Sequence, residues 1–304
     1  MKRILVTGGA GFIGSAVIAE LQKNGDEIFV IDNLSFGSRS FIDVPDDHFY
    51  NADILDKDRM AEIISRIDPQ VIIHLAAIHF IPYCNQHPFE SANINIQGTA
   101  NILKEAGLLK KLELVVFAST AAVYPISDHA VSESLRPDPL DIYGLSKLAG
   151  EHLCQEFHLR TNTPVAICRF FNAFGPNETN PHLIPEIQQQ VNSGARSIRL
   201  GNLTPKRDFI HTSDMARAML ALINKFKTGI DIFNLGRGIE YSVTEIVDAF
   251  SRELGEKISI EVEQSRVRKV ERMHLLADIT HLQQFTGWKP EIGIDEGIRT
   301  LIEK

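Results

Sequence analysis

Tyr143 and Lys147 stand four residues apart in the run Tyr143-Gly144-Leu145-Ser146-Lys147. On a helix, positions i and i+4 share one face. A free tyrosine titrates near about 10 and is a poor base at neutral pH. An ammonium about 4 Å from the phenol is worth roughly 4 kcal/mol at an effective dielectric near 20. That equals about three pKa units, enough to supply phenolate near neutrality. The competing reading is an ordinary surface pair on a helix. A second run, Phe117-Ala118-Ser119-Thr120-Ala121-Ala122-Val123-Tyr124, reads as a strand entering a turn. Functional groups of parallel sheets collect at the C-terminal ends of strands. Thr120 there is placed to hydrogen-bond a substrate hydroxyl and set its angle to Tyr143. Its alternative role is a local Ser/Thr turn.

A glycine loop stands near the start of the chain. Thr7-Gly8-Gly9-Ala10-Gly11-Phe12-Ile13-Gly14 follows a strand and opens a helix. Gly8 suits the tight turn, Gly11 lets backbone approach a pyrophosphate, and Gly14 allows close helix–strand packing. A diphosphate then sits on the helix N-terminus, where free N–H groups and the dipole favour an anion. Asp32 closes the second strand, 18 residues past Gly14. An acid there accepts hydrogen bonds from both ribose hydroxyls and repels a 2′-phosphate, which favours NAD over NADP. A turn cap is the competing role. Arg39 is near enough in sequence to soften that preference. Asp53 is placed to reach the adenine, or is a plain loop acid. The positive charge of an oxidised nicotinamide would draw the Tyr143 phenol further toward phenolate.

The elements that must position these groups alternate along the chain. Strands are predicted at Ile4–Thr7, Glu27–Asp32, Val71–Leu75, Glu113–Ser119 and Pro164–Phe170. Helices are predicted at Gly14–Lys23, Met60–Ile67, Asn93–Ala106 and Tyr143–Arg160. Near-continuous apolar strands between helices indicate an α/β protein with a doubly wound parallel sheet covered on both faces. Beyond Phe174-Gly175-Pro176 the pattern changes to a helix near Ile184–Asn192, a strand at Ser197–Leu200, and further elements at Asp214–Lys225, Asp231–Leu235, Val243–Leu254 and Ile294–Glu303. Residues 1–172, with a return over about 208–238, read as a nucleotide-binding domain. Residues 173–304 read mainly as a smaller α/β substrate lobe.

Composition narrows the classes. The chain has 304 residues, 44% of them hydrophobic and 23% charged, ordinary for a globular protein with its own core. Its net charge of −8 gives no global pull toward nucleic acid or anionic membrane. Cys84, Cys154 and Cys168 are odd in number and far apart, which argues against disulfides and a zinc site. Cys84 reads as a small core side chain. No apolar run reaches the length of a membrane span. The expected location is the cytoplasm, and no metal is expected.

Together these motifs resemble the extended short-chain dehydrogenase/reductase superfamily, in its nucleotide-sugar epimerase/dehydratase branch. The resemblance covers nearly the whole chain. It rests on the Thr7–Gly14 loop, Asp32-Asn33-Leu34-Ser35, the Tyr143/Lys147 pair and Arg169-Phe170-Phe171-Asn172. Gly201-Asn202, Arg207-Asp208-Phe209 and Gly287-Trp288-Lys289-Pro290 follow in order. It implies a Rossmann-type sheet and bound NAD. Gly8, Gly11, Phe12, Ile13, Gly14, Asp32, Asn33, Ser35, Gly37, Asp53 and Ile54 would hold the cofactor. Leu75, Ala76, Ala77 and Asn95 would line its cleft, and Ser119, Tyr143, Lys147 and Phe170 would meet the nicotinamide half. Asn172, Leu183, Arg207 and Arg266 would grip the nucleotide diphosphate of a UDP-sugar. Thr120, Tyr143 and Lys147 would be catalytic. The branch also implies a homodimer through a four-helix bundle built from Asn93–Ala106 and Tyr143–Arg160.

Three departures from the family pattern bear on the substrate. Phe170 replaces a usual Tyr, and His182 stands where an Asn often precedes the Leu. His79 and Phe80 differ from the common galactose-epimerase loop. His79 faces the sugar or packs within its loop. Dehydratases of the branch usually carry Asp-Glu after the Ser/Thr, whereas this chain has Ala121-Ala122, and neither alanine moves a proton. The leading expectation is a nucleotide-sugar 4-epimerase. A reductase of a 4-keto sugar nucleotide is the alternative, ahead of a 4,6-dehydratase or a non-catalytic NAD-binding protein.

Overall fold

The computed structural model describes residues 1–264 and 272–302. Twelve strands run along the described chain: β1 (Arg3–Thr7), β2 (Glu27–Asp32), β3 (Phe49–Asn51), β4 (Val71–His74), β5 (Leu114–Thr120), β6 (Val165–Phe170), β7 (Asn172–Phe174), β8 (Ser197–Leu200), β9 (Lys206–His211), β10 (Ile230–Leu235), β11 (Glu240–Ser242) and β12 (Ser259–Val262). The α-helices are α1 (Phe12–Lys23), α2 (Lys57–Ile67), α3 (Ile81–Gln86), α4 (Pro88–Ala92), α5 (Thr99–Ala106), α6 (Ile142–Thr161), α7 (Leu183–Asn192), α8 (Thr212–Lys225), α9 (Val243–Leu254), α10 (Thr280–Thr286) and α11 (Ile294–Ile302).

β4 and β5 are buried at every residue, the signature of strands covered on both faces. They sit inside a seven-stranded sheet of order β3-β2-β1-β4-β5-β6-β10. Each of its pairings is parallel. The doubly wound sheet expected from the sequence is present. On one face, Val17 and Leu21 of α1 share a core with Met215, Met219 and Leu222 of α8. On the other, Met60 and Ile64 of α2, Ile102 of α5 and Phe157 of α6 pack on Leu5, Ile72 and Phe117 of the sheet. The chain order reverses between β1 and β4, so a crevice opens beyond their C-terminal ends.

A separate core holds the later elements. β7 pairs parallel with β9, β9 antiparallel with β11, and β8 parallel with β12. Phe174, Ile187, Leu200, Phe209, Phe250 and Ile298 fill that core. β10 pairs with β6, so the chain comes back to the central sheet after β9.

The predicted helix Asn93–Ala106 is two pieces. Asn93–Gly98 is a π-turn, and α5 follows it. The Thr99 hydroxyl takes the Asn95 carbonyl at 2.6 Å, which competes with the helical ladder at the wide turn. The elements missed by periodicity include β9 and α10, of six and seven residues, and several that are shorter. β3, β7 and β11 have three residues each, and α4 has five. Runs that short show no reliable period.

α6 lies close on β5. A Cβ added at Gly150 would stand 2.4 Å from Cζ of Phe117, whose ring is buried. Gly150→Val should therefore cost about 1–3 kcal/mol through overpacking. The check is the chemical-denaturation midpoint against wild type with an unchanged slope.

Candidate active site

A cleft of about 1050 Å³ runs over the crest of the central sheet. Its floor is the glycine turn. Gly8 has φ +71°, and a Cβ there would meet the Ala76 nitrogen at 2.7 Å. A Cβ at Gly14 would meet the Gly8 carbonyl at 2.3 Å. No side chain caps α1 at Gly11, and its first turn has no acid. That end of the helix therefore favours an anion.

Asp32 is nearly buried beside this turn. Its Oδ2 accepts from the Ala10 amide (2.9 Å) and its Oδ1 from the Leu34 amide (2.8 Å). Burial pushes the carboxyl up, and the two amides oppose the shift. Each carboxylate oxygen has a second lone pair for a ribose hydroxyl. Asn33 Nδ2 donates to Asp53 Oδ2 at 3.0 Å, joining the two acids' loops. Arg39 is committed elsewhere. It donates to the Ile42 and Val44 carbonyls and to Asp46, and lies over the Phe49 ring at 5.1 Å. It does not line the cleft.

The groups expected to react come from β5 and α6. Thr120 ends β5 and its Oγ1 accepts from the Ala122 amide at 3.1 Å. Asp141 caps α6 by accepting from the Gly144 amide at 2.8 Å, which sets Tyr143 in the first turn. Lys147 is 2% exposed, with Nζ 4.3 Å from the centre of the Phe117 ring. Ser119, Thr120, Tyr143 and Lys147 all line the cleft.

The expected depression of the Tyr143 phenol by Lys147 is corrected by the structure. Burial pushes the phenol well above its usual range, and a hydrogen bond from Thr120 is what lowers it. Desolvation penalises the phenolate more than these side chains favour it. Burial also pushes Lys147 down to about 8. His74, behind it, is pushed to about 3 by burial and then by Lys147, so it is neutral. The Thr99 hydroxyl donates to Asn95 O, so at 3.0 Å it accepts from His74 Nε2–H. His74 Nδ1 then accepts from the Thr7 hydroxyl at 2.6 Å.

Of the described residues expected to bind cofactor or substrate, all line the cleft except Asn95. Arg266 lies outside the described residues. Asn95 is 1% exposed and braces the wall from behind. It pairs with Ile78 through two hydrogen bonds (2.8 and 2.9 Å) and donates to Ser146 Oγ (2.9 Å). Arg207 Nη1 donates to the Lys206 and Arg272 carbonyls. Arg272 lines the cleft and escaped the sequence reading. It donates to the Tyr124 carbonyl at 2.7 Å. Its basic neighbours 266, 268 and 269 were the more visible run. Glu178 lines the cleft too, and no motif marks it.

Residues 4–236 match the family model described as NAD dependent epimerase/dehydratase family. The chain belongs to that family. The glycine turn, the uncapped start of α1 and Asp32 fit NAD, the family's cofactor. The UDP-glucose 4-epimerase of Bacillus subtilis is 31% identical, over 96% of this chain and 94% of its own. The GDP-6-deoxy-D-mannose reductase of Pseudomonas aeruginosa is 27% identical, over 99% and 96%. Among solved structures, the UDP-glucose 4-epimerase of Thermotoga maritima with UDP-glucose superposes with a TM-score of 0.90 at 27% identity, covering 99% of this chain and 97% of that one.

Lys147 generates a pH prediction for this family member. The folded chain holds the Lys147 proton more weakly than the unfolded chain, where lysine titrates near 10.5. The cost is full below about pH 8 and is relieved as pH rises toward 10.5. Stability relative to Lys147→Met should rise by about 2–3 kcal/mol between about pH 7 and pH 10. Paired denaturation curves across that range check it, and parallel curves would refute it.

Proposed function

We propose that the chain is an NAD-dependent nucleotide-sugar 4-epimerase acting on a UDP-hexose or a derivative of one. One observation carries this reading. Thr120, Tyr143 and Lys147 share the cleft with Ala121 and Ala122, where elimination of water would need an acid and a base. Bound NAD supplies a hydride acceptor and, when oxidised, a positive charge that favours the Tyr143 phenolate. Gly8, Gly11, Gly14 and Asp32 hold it. Tyr143 takes the proton of the C4 hydroxyl as C4 gives up hydride. Thr120 bonds the phenol and orients it. Lys147 keeps a positive charge behind the ring. After the 4-keto sugar turned over, the cofactor would supply hydride for its other face, and Tyr143 would give the proton back to the C4 oxygen. Asn172, Leu183 and Arg207 hold the nucleotide diphosphate end, where arginine's fork suits phosphate oxygens. His79 lines the sugar end.

We also assign residues 1–172, with 208–238, to the cofactor half and the remainder of 173–304 to the substrate half. Three buried free cysteines support a reducing compartment, the cytoplasm. No helix among the described residues is long and apolar enough to cross a membrane. A homodimer through Asn93–Ala106 and α6 is supported by exposed apolar side chains on α6 and on the neighbouring α4. Phe89 on α4 is 89% exposed, and Leu145 and Leu159 on α6 are 52% and 84% exposed. The two leucines are about four turns apart, on one side of the helix.

Denaturing the purified protein and assaying the released nucleotide tests the reading. UDP-glucose, UDP-N-acetylglucosamine, UDP-glucuronate and GDP-mannose are incubated in parallel without reductant. The expected result is stoichiometric NAD and one C4 epimer. A protein inert until NADH or NADPH and a 4-keto sugar are supplied would instead be a reductase. Tyr143→Phe should lower kcat by about 10²–10⁴-fold with the fold intact. For assembly, light scattering should give a dimer for wild type and a monomer for Leu159→Asp with Phe89→Asp.

A further inference from the structure

His79, Glu178 and His182 meet where the loop after β4 touches the segment between β7 and α7. One ligand-capable atom from each lies within 4.8 Å of the others. The two imidazole rings are 5.8 Å apart, centre to centre. His182 Nδ1 stands 3.2 Å from Glu178 Oε2. The Glu178 side chain is 6% exposed, and that of His182 is 40% exposed. All three line the cleft.

An ion pair between Glu178 and His182 would not need a second imidazole. Asn180 braces the group. Its backbone amide donates to Glu178 Oε1 at 2.9 Å, and its side-chain amide lies 3.4 Å from the same oxygen and 3.2 Å from His79 Nε2. The Asn180 amide is a donor, so it holds the His79 Nε2 lone pair in place of an ion, while Glu178 keeps Oε2 turned toward His182.

We propose that His79, Glu178 and His182 bind one divalent ion of the zinc class, with its fourth position open to the cleft. Two imidazole nitrogens and one carboxylate oxygen form a three-ligand set suited to zinc. Magnesium and calcium prefer oxygen ligands throughout. In a tetrahedron with bonds of about 2.0–2.1 Å, ligand atoms stand about 3.3–3.5 Å apart. Rotation of the half-exposed His182 ring supplies the closure. The ion ties the loop after β4 to the segment before α7.

The test counts metal and needs no turnover, so it stands apart from the sugar reaction. The cofactor-loaded protein is stripped with a chelator, dialysed against micromolar zinc chloride, and analysed for zinc by mass spectrometry. Wild type should retain one zinc per chain. His79→Ala, Glu178→Gln and His182→Asn should each lose it, whereas His129→Ala, at an exposed loop position, should keep it. Zinc should raise the melting temperature of wild type and not of His182→Asn, whose melt without zinc reports an intact fold. No retained zinc in wild type would overturn the proposal. So would zinc that survives all three ligand substitutions, or zinc lost equally in His129→Ala.

Discussion

Glu151 and Arg169 are each 2% exposed and meet through two hydrogen bonds of 2.9 and 2.7 Å. Either charge alone at that depth would cost several kcal/mol. The pair persists because its remaining groups are also used. Ser119 Oγ donates to Glu151 at 2.5 Å, and the Arg169 guanidinium lies over the Tyr124 ring at 4.7 Å. Glu151 belongs to α6, Arg169 to β6 and Ser119 to β5, so the knot pins the helix across two strand ends. Lys147 and Tyr143 lie about one and two turns up the same helix. Their register over the cleft is thus set by a charge pair that does not line it.

The same burial creates a problem that the surrounding side chains divide. Lys147 is as deep as the pair below it, and its ammonium loses water. The Phe117 ring at 4.3 Å and the Glu151 carboxylate replace part of that solvation. His74 adds no charge, because burial keeps it neutral between Thr7 and Thr99. Lys147 is therefore the cationic group at this depth of α6, held over the Phe117 ring. Burial still opposes the Tyr143 phenolate, and the Thr120 hydrogen bond works against that shift.

What the sequence reveals and what it hides differ by distance along the chain. The glycine turn, Asp32, Thr120 and the Tyr143/Lys147 pair are local patterns on single elements. The long strands and helices are apolar runs or periodic faces. All were legible for that reason. Asn95 reaches Ser146 across 51 positions, and Asn180 reaches His79 across 101. Spacing carries no trace of such contacts. Arg39 shows the converse. It is seven residues from Asp32 in sequence, yet its donors are taken by Ile42, Val44 and Asp46. The direction of the Tyr143 shift was hidden too, because spacing reports a neighbouring charge and not the loss of solvent.

These long-range contacts explain how one scaffold separates chemistry from recognition. Asn95 holds Ile78 by two hydrogen bonds and holds α6 through Ser146. The loop that carries His79 is therefore fastened at its root to the helix that carries Tyr143. Beyond Ile78 the loop is free of that clamp and meets the Asn180 segment instead. A change at His79 or His182 alters the wall facing the ligand while leaving the root in place. A change at Asn95 would loosen the wall and α6 together. The loop tips of the cleft wall can thus vary without moving Tyr143 from the end of β5.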